Sequence, residues 1–226
     1  MKLLIDDAHI EAIKKIYDQY PVDGVTTNPS ILAKVGRDPV ETLKEIRAFI
    51  GEDALLFAQA VALDAEGMVK DAHCIIDIAG KNTIVKIPSI PEGFKAIRML
   101  RKEGIKTCGT VVYTPMQGYL AAKAGASYVA PYVNRIDNMG YDGIKVTEEI
   151  QDILENNGMD CEVLAASFKN SQQVLALAEY GVGAATASPD VIAAFVKNPA
   201  IDGAVNDFIN DFKKLTGKTA FSEIIK

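Results

Sequence analysis

The sequence contains no tryptophan and only two histidines, His9 and His73, both inside helix-like patterns. A histidine-rich metal centre and a Ser-His-Asp triad therefore lack the residues they need, and no metal site is expected. The three cysteines, Cys74, Cys108 and Cys161, are odd in number and far apart, which fits neither a disulfide framework nor zinc ligation. Reduced thiols point to the cytoplasm as the expected location. No apolar run approaches the length of a membrane span, and the opening Leu3-Leu4-Ile5 is too short for a signal core and runs into Asp6 and Asp7. Basic residues are also in the minority, 24 against 30 acidic ones, for a formal charge of −6 and a pI near 5.0. That balance argues against a general polyanion binder, so neither nucleic acid nor a membrane is expected as a partner. A single arginine in a cleft can still hold a phosphorylated metabolite.

What the chain does have is apolar content: 49% of its 226 residues are hydrophobic, enough for one large core, and residues 1–226 read as one domain. Short apolar runs alternate with longer helical patterns. Strands are expected at 2–6, 24–27, 55–60, 83–87, 106–112, 128–133, 162–166 and 183–187. Helices are expected at 8–20, at 65–79 and from about residue 92, with a helix-like segment after each later strand. The strands read mostly as continuous apolar runs, as parallel strands buried on both faces do. Eight such steps close naturally into an α/β fold, a (β/α)8 TIM barrel, whereas an open doubly wound sheet would carry a GxGxxG loop that is missing here. Residues 201–216 form an additional C-terminal helix with Val205, Phe208, Ile209 and Phe212 on one face, suited to capping the barrel or docking on a neighbouring subunit.

Active sites of such barrels are built at the C-terminal ends of the strands. Those ends carry Asp6, then Thr26, Thr27 and Asn28, then Gln59, Lys86, Thr110, Tyr132 with Arg135, and Ser167. Lys86 stands out, because it interrupts the apolar strand Thr83-Ile84-Val85-Lys86-Ile87-Pro88. A buried lysine is driven towards the neutral amine, which attacks a carbonyl carbon. The competing reading makes it half of a core ion pair, for example with Asp6, an expensive arrangement. Asp6 is either a proton acceptor in the site or a helix cap, with Asp7 the better candidate for capping. Tyr132 is equally readable as a proton relay or as a packed phenol, and Gln59 can hold a water through its amide. Arg135 offers a fork for phosphate oxygens, or else pairs with Asp137 or Asp142 at the surface; Ser167 can add a hydroxyl or an N–H.

The chain contains the segments Gly24-Val25-Thr26-Thr27-Asn28-Pro29-Ser30, Ala65-Glu66-Gly67-Met68, Val85-Lys86-Ile87-Pro88, Gly104-Ile105-Lys106-Thr107, Ala130 through Asp137, and Ala165-Ala166-Ser167. Together they resemble the small transaldolase family, and most closely its fructose-6-phosphate aldolase branch. The resemblance runs over nearly the full length. It implies a class I aldolase with Lys86 as the Schiff-base lysine and Asp6 assisting carbon–carbon cleavage. Thr26 and Asn28 would hold hydroxyls of the dihydroxyacetone moiety, Thr110 would orient the catalytic water or the substrate, and Arg135 and Ser167 would bind the phosphate. Gln59 and Tyr132 match the aldolase branch, where true transaldolases resemble a pattern with Glu and Phe. The resemblance thus implies reversible cleavage of fructose 6-phosphate, with transfer of a dihydroxyacetone unit as the alternative and a non-catalytic sugar-phosphate-binding barrel as the third reading. It implies no cofactor, sugar phosphates and small ketones as partners, and a homo-oligomer, up to a decamer, with exchanged C-terminal helices. Two departures bear on the donor: Asp7 stands where Thr or Ser is common, and the eighth strand ends Ala185-Thr186-Ala187-Ser188-Pro189.

Overall fold

The computed structural model describes residues 1–225 and falls into two units, one from Met1 to Ile192 and a second beginning at Ala193. In the first unit β1 (Lys2–Asp6), β2 (Gly24–Thr26), β3 (Leu55–Gln59), β4 (Thr83–Pro88), β5 (Thr107–Val112), β6 (Tyr128–Pro131), β7 (Glu162–Ala165) and β8 (Ala184–Ala187) form a closed barrel in sequence order. Every pairing is parallel, including β1 on β8. The helices between them are α1 (Ile10–Gln19), α2 (Pro29–Val35), α3 (Pro39–Ile50), α4 (Ala65–Ala79), α5 (Pro91–Lys102), α6 (Pro115–Ala124), α7 (Val133–Asp137), α8 (Gly143–Asn156) and α9 (Ser171–Tyr180), and α10 (Pro189–Ala193) follows β8. The alternation expected from the sequence is therefore the alternation found, and the fold is a TIM barrel.

Local chemistry explains where the helices start. Asn28-Pro29, Asp38-Pro39 and Thr114-Pro115 each place a capping oxygen before a proline, and each cap accepts an N–H from the first turn. Proline's preset φ and missing N–H suit that first helical position. The turn before α1 differs from expectation. Asp7 does not cap the helix, which begins at Ile10 with His9 at the cap position; its Oδ1 instead accepts from the N–H groups of Ala8 (2.7 Å) and His9 (3.0 Å) and meets His9 Nδ1 at 2.8 Å.

The inside of the barrel is a filled layer: Leu4, Phe57, Ile84, Cys108, Tyr128, Ala130, Leu164 and Ala184, with Phe57 and Tyr128 edge to face at 5.2 Å. Side chains alternate across a strand, so the residue two positions further along points into the same interior, nearer the C-terminal mouth. Two steps on from Leu4, Phe57, Ile84, Cys108, Ala130 and Ala184 lie Asp6, Gln59, Lys86, Thr110, Tyr132 and Thr186. The core layer thus sets where the polar layer stands. At the other end the buried Arg47 of α3 binds strand and helix ends together. It donates to the carbonyls of Ala79 (2.7 Å), Gly51 (2.7 Å) and Ala54 (2.9 Å) and to Thr83 Oγ1 (3.4 Å).

The second unit holds α11 (Pro199–Thr216), capped by Asn198 Oδ1 on Ala200 N–H at 2.9 Å. Ile201, Val205, Phe208, Ile209 and Leu215 are exposed, and the rings of Phe212 and Phe221 lie 4.7 Å apart. Among the described residues no helix is long and apolar enough to cross a membrane, and no cluster of candidate metal ligands occurs.

Candidate active site

A pocket of about 160 Å³ opens at the C-terminal mouth, lined by Asp6, Asn28, Lys86, Tyr132, Arg135 and Ser167, with Ser30, Ile31, Lys34 and Ala166 completing the wall. Lys86 is only 4% exposed, and its Nζ donates to the Thr27 carbonyl at 3.1 Å. Among the described residues it has no carboxylate within ion-pair distance, so it is not the member of a core salt bridge. A nearby thiol is no rival nucleophile: Cys108, its neighbour across the β4–β5 register, is fully buried, and burial pushes it up to about 12.

Asp6 stands opposite Thr26 in the barrel register and accepts that threonine's hydroxyl at 2.7 Å. Thr26 Oγ1 is in turn 2.7 Å from Thr186 Oγ1, so a chain of three side chains crosses β8, β2 and β1. Burial pushes the Asp6 carboxyl above the ordinary value of 3.8, against the opposing pull of Lys86 and of the Thr26 hydroxyl. Behind the wall that Tyr132 forms, Thr110 Oγ1 lies 2.8 Å from Tyr132 Oη, both buried; Thr110 touches Tyr132 and does not itself line the pocket. The Tyr132 ring is sandwiched, with Tyr113 edge-on at 5.7 Å and the Arg135 guanidinium over its face at 4.7 Å.

Arg135 has no acidic partner among the described residues. Asp137 is spent on the Gly143 N–H (2.7 Å) and on Gln173 Nε2 (2.6 Å), and Asp142 caps α8 through the Lys145 N–H. The neighbouring Tyr113 phenol, set against partial burial, holds the Arg135 guanidinium above its ordinary range. A permanent fork without a counter-ion, beside the unengaged hydroxyl of Ser167, suits an anion.

The family model for Transaldolase/Fructose-6-phosphate aldolase matches residues 3–224. The chain belongs to this family. A protein of Thermodesulfovibrio yellowstonii named "Probable transaldolase" is 43% identical over 215 residues, 95% of this chain and 99% of the relative. Another of the same name from Geotalea uraniireducens is 42% identical over the same shares. Among solved structures, one described as "Native KDPGal structure" superposes with a TM-score of 0.57 at 16% identity over 84% of both chains, a likeness of fold alone.

Not every residue singled out in the sequence of this transaldolase-family chain reaches the pocket. Thr26 is wholly buried, its hydroxyl occupied between Asp6 and Thr186, so it touches Asp6 and does not line the cavity. Asn28 lines it, but its carbonyl caps α2 at Ile31 N–H (3.0 Å), leaving only its NH2 for a ligand. Gln59 pairs with Lys86 in register but is not among the residues lining this pocket; it borders an apolar cleft of about 410 Å³ between α2, α3 and α4. Thr27 contributes its carbonyl, since its hydroxyl goes to Phe57 O at 3.0 Å. Sequence reasoning passed over Thr186, Tyr113, Ser30 and Lys34. The last two were within reach: they are four apart on α2, immediately after the Asn28-Pro29 start, and so share the face turned to the mouth.

Proposed function

We propose that the protein is a class I aldolase that reversibly cleaves fructose 6-phosphate to dihydroxyacetone and glyceraldehyde 3-phosphate through a Schiff base on Lys86. The observation that carries this reading is a lysine 4% exposed whose Nζ meets a main-chain carbonyl and no carboxylate, in a pocket shared with Asp6. The amine attacks C2 of the ketose, and loss of the carbonyl oxygen as water gives the iminium. Asp6 accepts the proton of the C4 hydroxyl while the C3–C4 bond breaks, its electron pair moving into the enamine and C4 leaving as the aldehyde carbon. A carboxyl raised by burial is better matched to such proton transfer near neutral pH. The Thr110–Tyr132 hydroxyl pair supplies a proton to C3 of the enamine, directly or through a water, and hydrolysis of the new iminium frees dihydroxyacetone and Lys86. Arg135, Lys34 and Ser167 take the phosphate, and the Asn28 NH2 takes a donor hydroxyl.

The names of the two relatives favour a second reading, transfer of the dihydroxyacetone unit to another aldehyde through the same lysine. The phenol next to the enamine is what favours cleavage over transfer. Intact and peptide mass spectrometry after fructose 6-phosphate and borohydride tests both readings: a dihydroxyacetone-sized adduct on Lys86 is expected. Steady release of glyceraldehyde 3-phosphate without an acceptor supports the aldolase, and strict dependence on erythrose 4-phosphate establishes the transferase. The absence of any adduct with small ketoses would leave a sugar-phosphate-binding barrel.

The exposed apolar face of α11 supports a homo-oligomer, up to a decamer, in which C-terminal helices are exchanged. Light scattering of the full chain and of a chain ending at residue 198 checks this. A monomer in both would remove it.

A further inference from the structure

Among the described residues two other than glycine adopt left-handed backbone, Val111 (φ 60°) and Ser167 (φ 63°). Both sit at the C-terminal ends of strands that feed the pocket, and for a β-branched valine that conformation is strained. The same hydrogen bond recurs beyond each of them at the same spacing. Two residues on, an N–H donates to a glutamine side chain: Tyr113 N to Gln117 Oε1 at 3.0 Å, and Lys169 N to Gln173 Oε1 at 2.7 Å. In both cases the glutamine lies six residues after the strained one and three after the helix cap, Thr114 or Asn170. A strained strand end is thus followed twice by the same glutamine brace.

Gln117 does more than cap. Its Nε2 reaches back to the Ser89 carbonyl at the end of β4 (3.1 Å) and to the Val111 carbonyl itself (3.2 Å). Ser89 N–H in turn donates to Thr110 O at 2.8 Å. At this point β5 carries one residue more than β6: Gly109 pairs Val129 and Val112 pairs Pro131, which leaves Thr110 and Val111 against Ala130 alone. Such a bulge re-aims the side chains around it. The strand is also pressed from outside, since a Cβ on Gly109 would stand 2.5 Å from Ala121 Cβ and 3.0 Å from Ser89 Oγ.

We propose that Gln117 is a positioning residue: its amide clamps the left-handed Val111 bulge of β5 to the end of β4 and thereby holds Thr110 and Tyr132 as a hydroxyl pair beside Lys86. The inference rests on the reading that Lys86 forms a Schiff base and that the hydroxyl pair serves the enamine. Gln117→Glu separates clamping from capping, because the carboxylate still accepts the Tyr113 N–H but loses both donors to the carbonyls. Gly at position 111 adopts positive φ without strain and so lessens the need for the clamp.

The experiment compares the full chain with Gln117→Glu, Gln117→Leu and Val111→Gly/Gln117→Glu, reading the borohydride-trapped Lys86 adduct, kcat and KM for fructose 6-phosphate, and the melting temperature. Expected for Gln117→Glu is adduct formation and KM within about twofold of wild type, with kcat lowered by about 10-fold to 100-fold, since misplacement of a reacting group by an ångström has an effect of that order. Part of the lost kcat should return in the double variant. Wild-type kcat in the single variant overturns the proposal. So does a kcat loss that only parallels loss of adduct and of melting temperature, because that is the behaviour of a helix cap. If Gln117→Glu does not fold, the same criteria apply to Gln117→Leu. A wild type that forms no adduct fails the Schiff-base reading and this inference with it, whereas a wild type that forms the adduct and a variant with unchanged kcat fail this inference alone.

Discussion

The two mouths of the barrel are built from the same strands and treat their polar groups in opposite ways. At the N-terminal mouth protein groups satisfy one another: Arg47 is buried among three carbonyls and a hydroxyl, and Lys2 meets Glu162 at 2.6 Å with the Tyr128 ring 5.8 Å away. At the C-terminal mouth Lys86, Lys34 and Arg135 have no carboxylate partner among the described residues, Asp6 is pushed up by burial, and Val111 and Ser167 have left-handed backbone. One end satisfies its own polar groups, and the other leaves its cations without carboxylate partners. Buried groups left unpaired cost stability, so the two ends should answer mutation with opposite signs.

The largest contrast is expected at Lys86. Lys86→Met should abolish the borohydride adduct and lower turnover by about 10⁴-fold or more. The same change should raise stability by about 1 kcal/mol in chemical denaturation, because a desolvated amine gives way to an apolar chain of similar length. Asp6→Asn should lower kcat by about 10²-fold to 10⁴-fold. Its pH signature sharpens the comparison. The folded Asp6 value lies above 3.8, so between the two values the native state binds more protons than the unfolded state, and stability falls as pH rises through that window. Denaturation midpoints from pH 4 to pH 8 should show this decline in wild type and a smaller one in Asp6→Asn.

Arg135→Ala should raise KM for fructose 6-phosphate by about 10-fold to 100-fold while leaving the adduct with unphosphorylated dihydroxyacetone unchanged, consistent with loss of one charge-assisted phosphate contact. Arg47→Ala, at the other mouth, should destabilise by about 3 kcal/mol through the orphaned carbonyls, with turnover per folded molecule unaffected. The smallest effect belongs to Lys2→Ala, which breaks a half-exposed pair worth about 1 kcal/mol or less. If Arg47→Ala and Lys86→Met shifted stability in the same direction, the contrast between the mouths would be wrong.

Much of the C-terminal mouth is legible in the sequence. A lone lysine in Thr83-Ile84-Val85-Lys86-Ile87-Pro88 is visible as a charge in a buried strand, and Asp6 as an acid at a strand end. The helix starts at Asn28-Pro29, Asp38-Pro39 and Thr114-Pro115 are equally local. The chain from Thr186 through Thr26 to Asp6 is not legible, because it joins residues 160 and 20 positions apart, and Thr186 reaches Thr26 only when β8 closes on β1. The free state of Arg135 is hidden for a similar reason: whether Asp137 neutralises it depends on Gln173, which arrives on α9. Helix α1 starts two residues later than its pattern suggests because Asp7 closes a turn on Ala8 and His9 instead of capping.

By itself the sequence determined the alternation of elements, the apolar layer that fills the barrel and the strand-end position of each polar group, since these follow from side-chain period and burial along the chain. Tertiary structure alone decided which of those groups face the cavity, which are spent on one another, and where β5 takes on an extra residue against β6. Those outcomes depend on register between strands and on contacts across closure, and no local pattern encodes a neighbour that arrives from the other end of the chain.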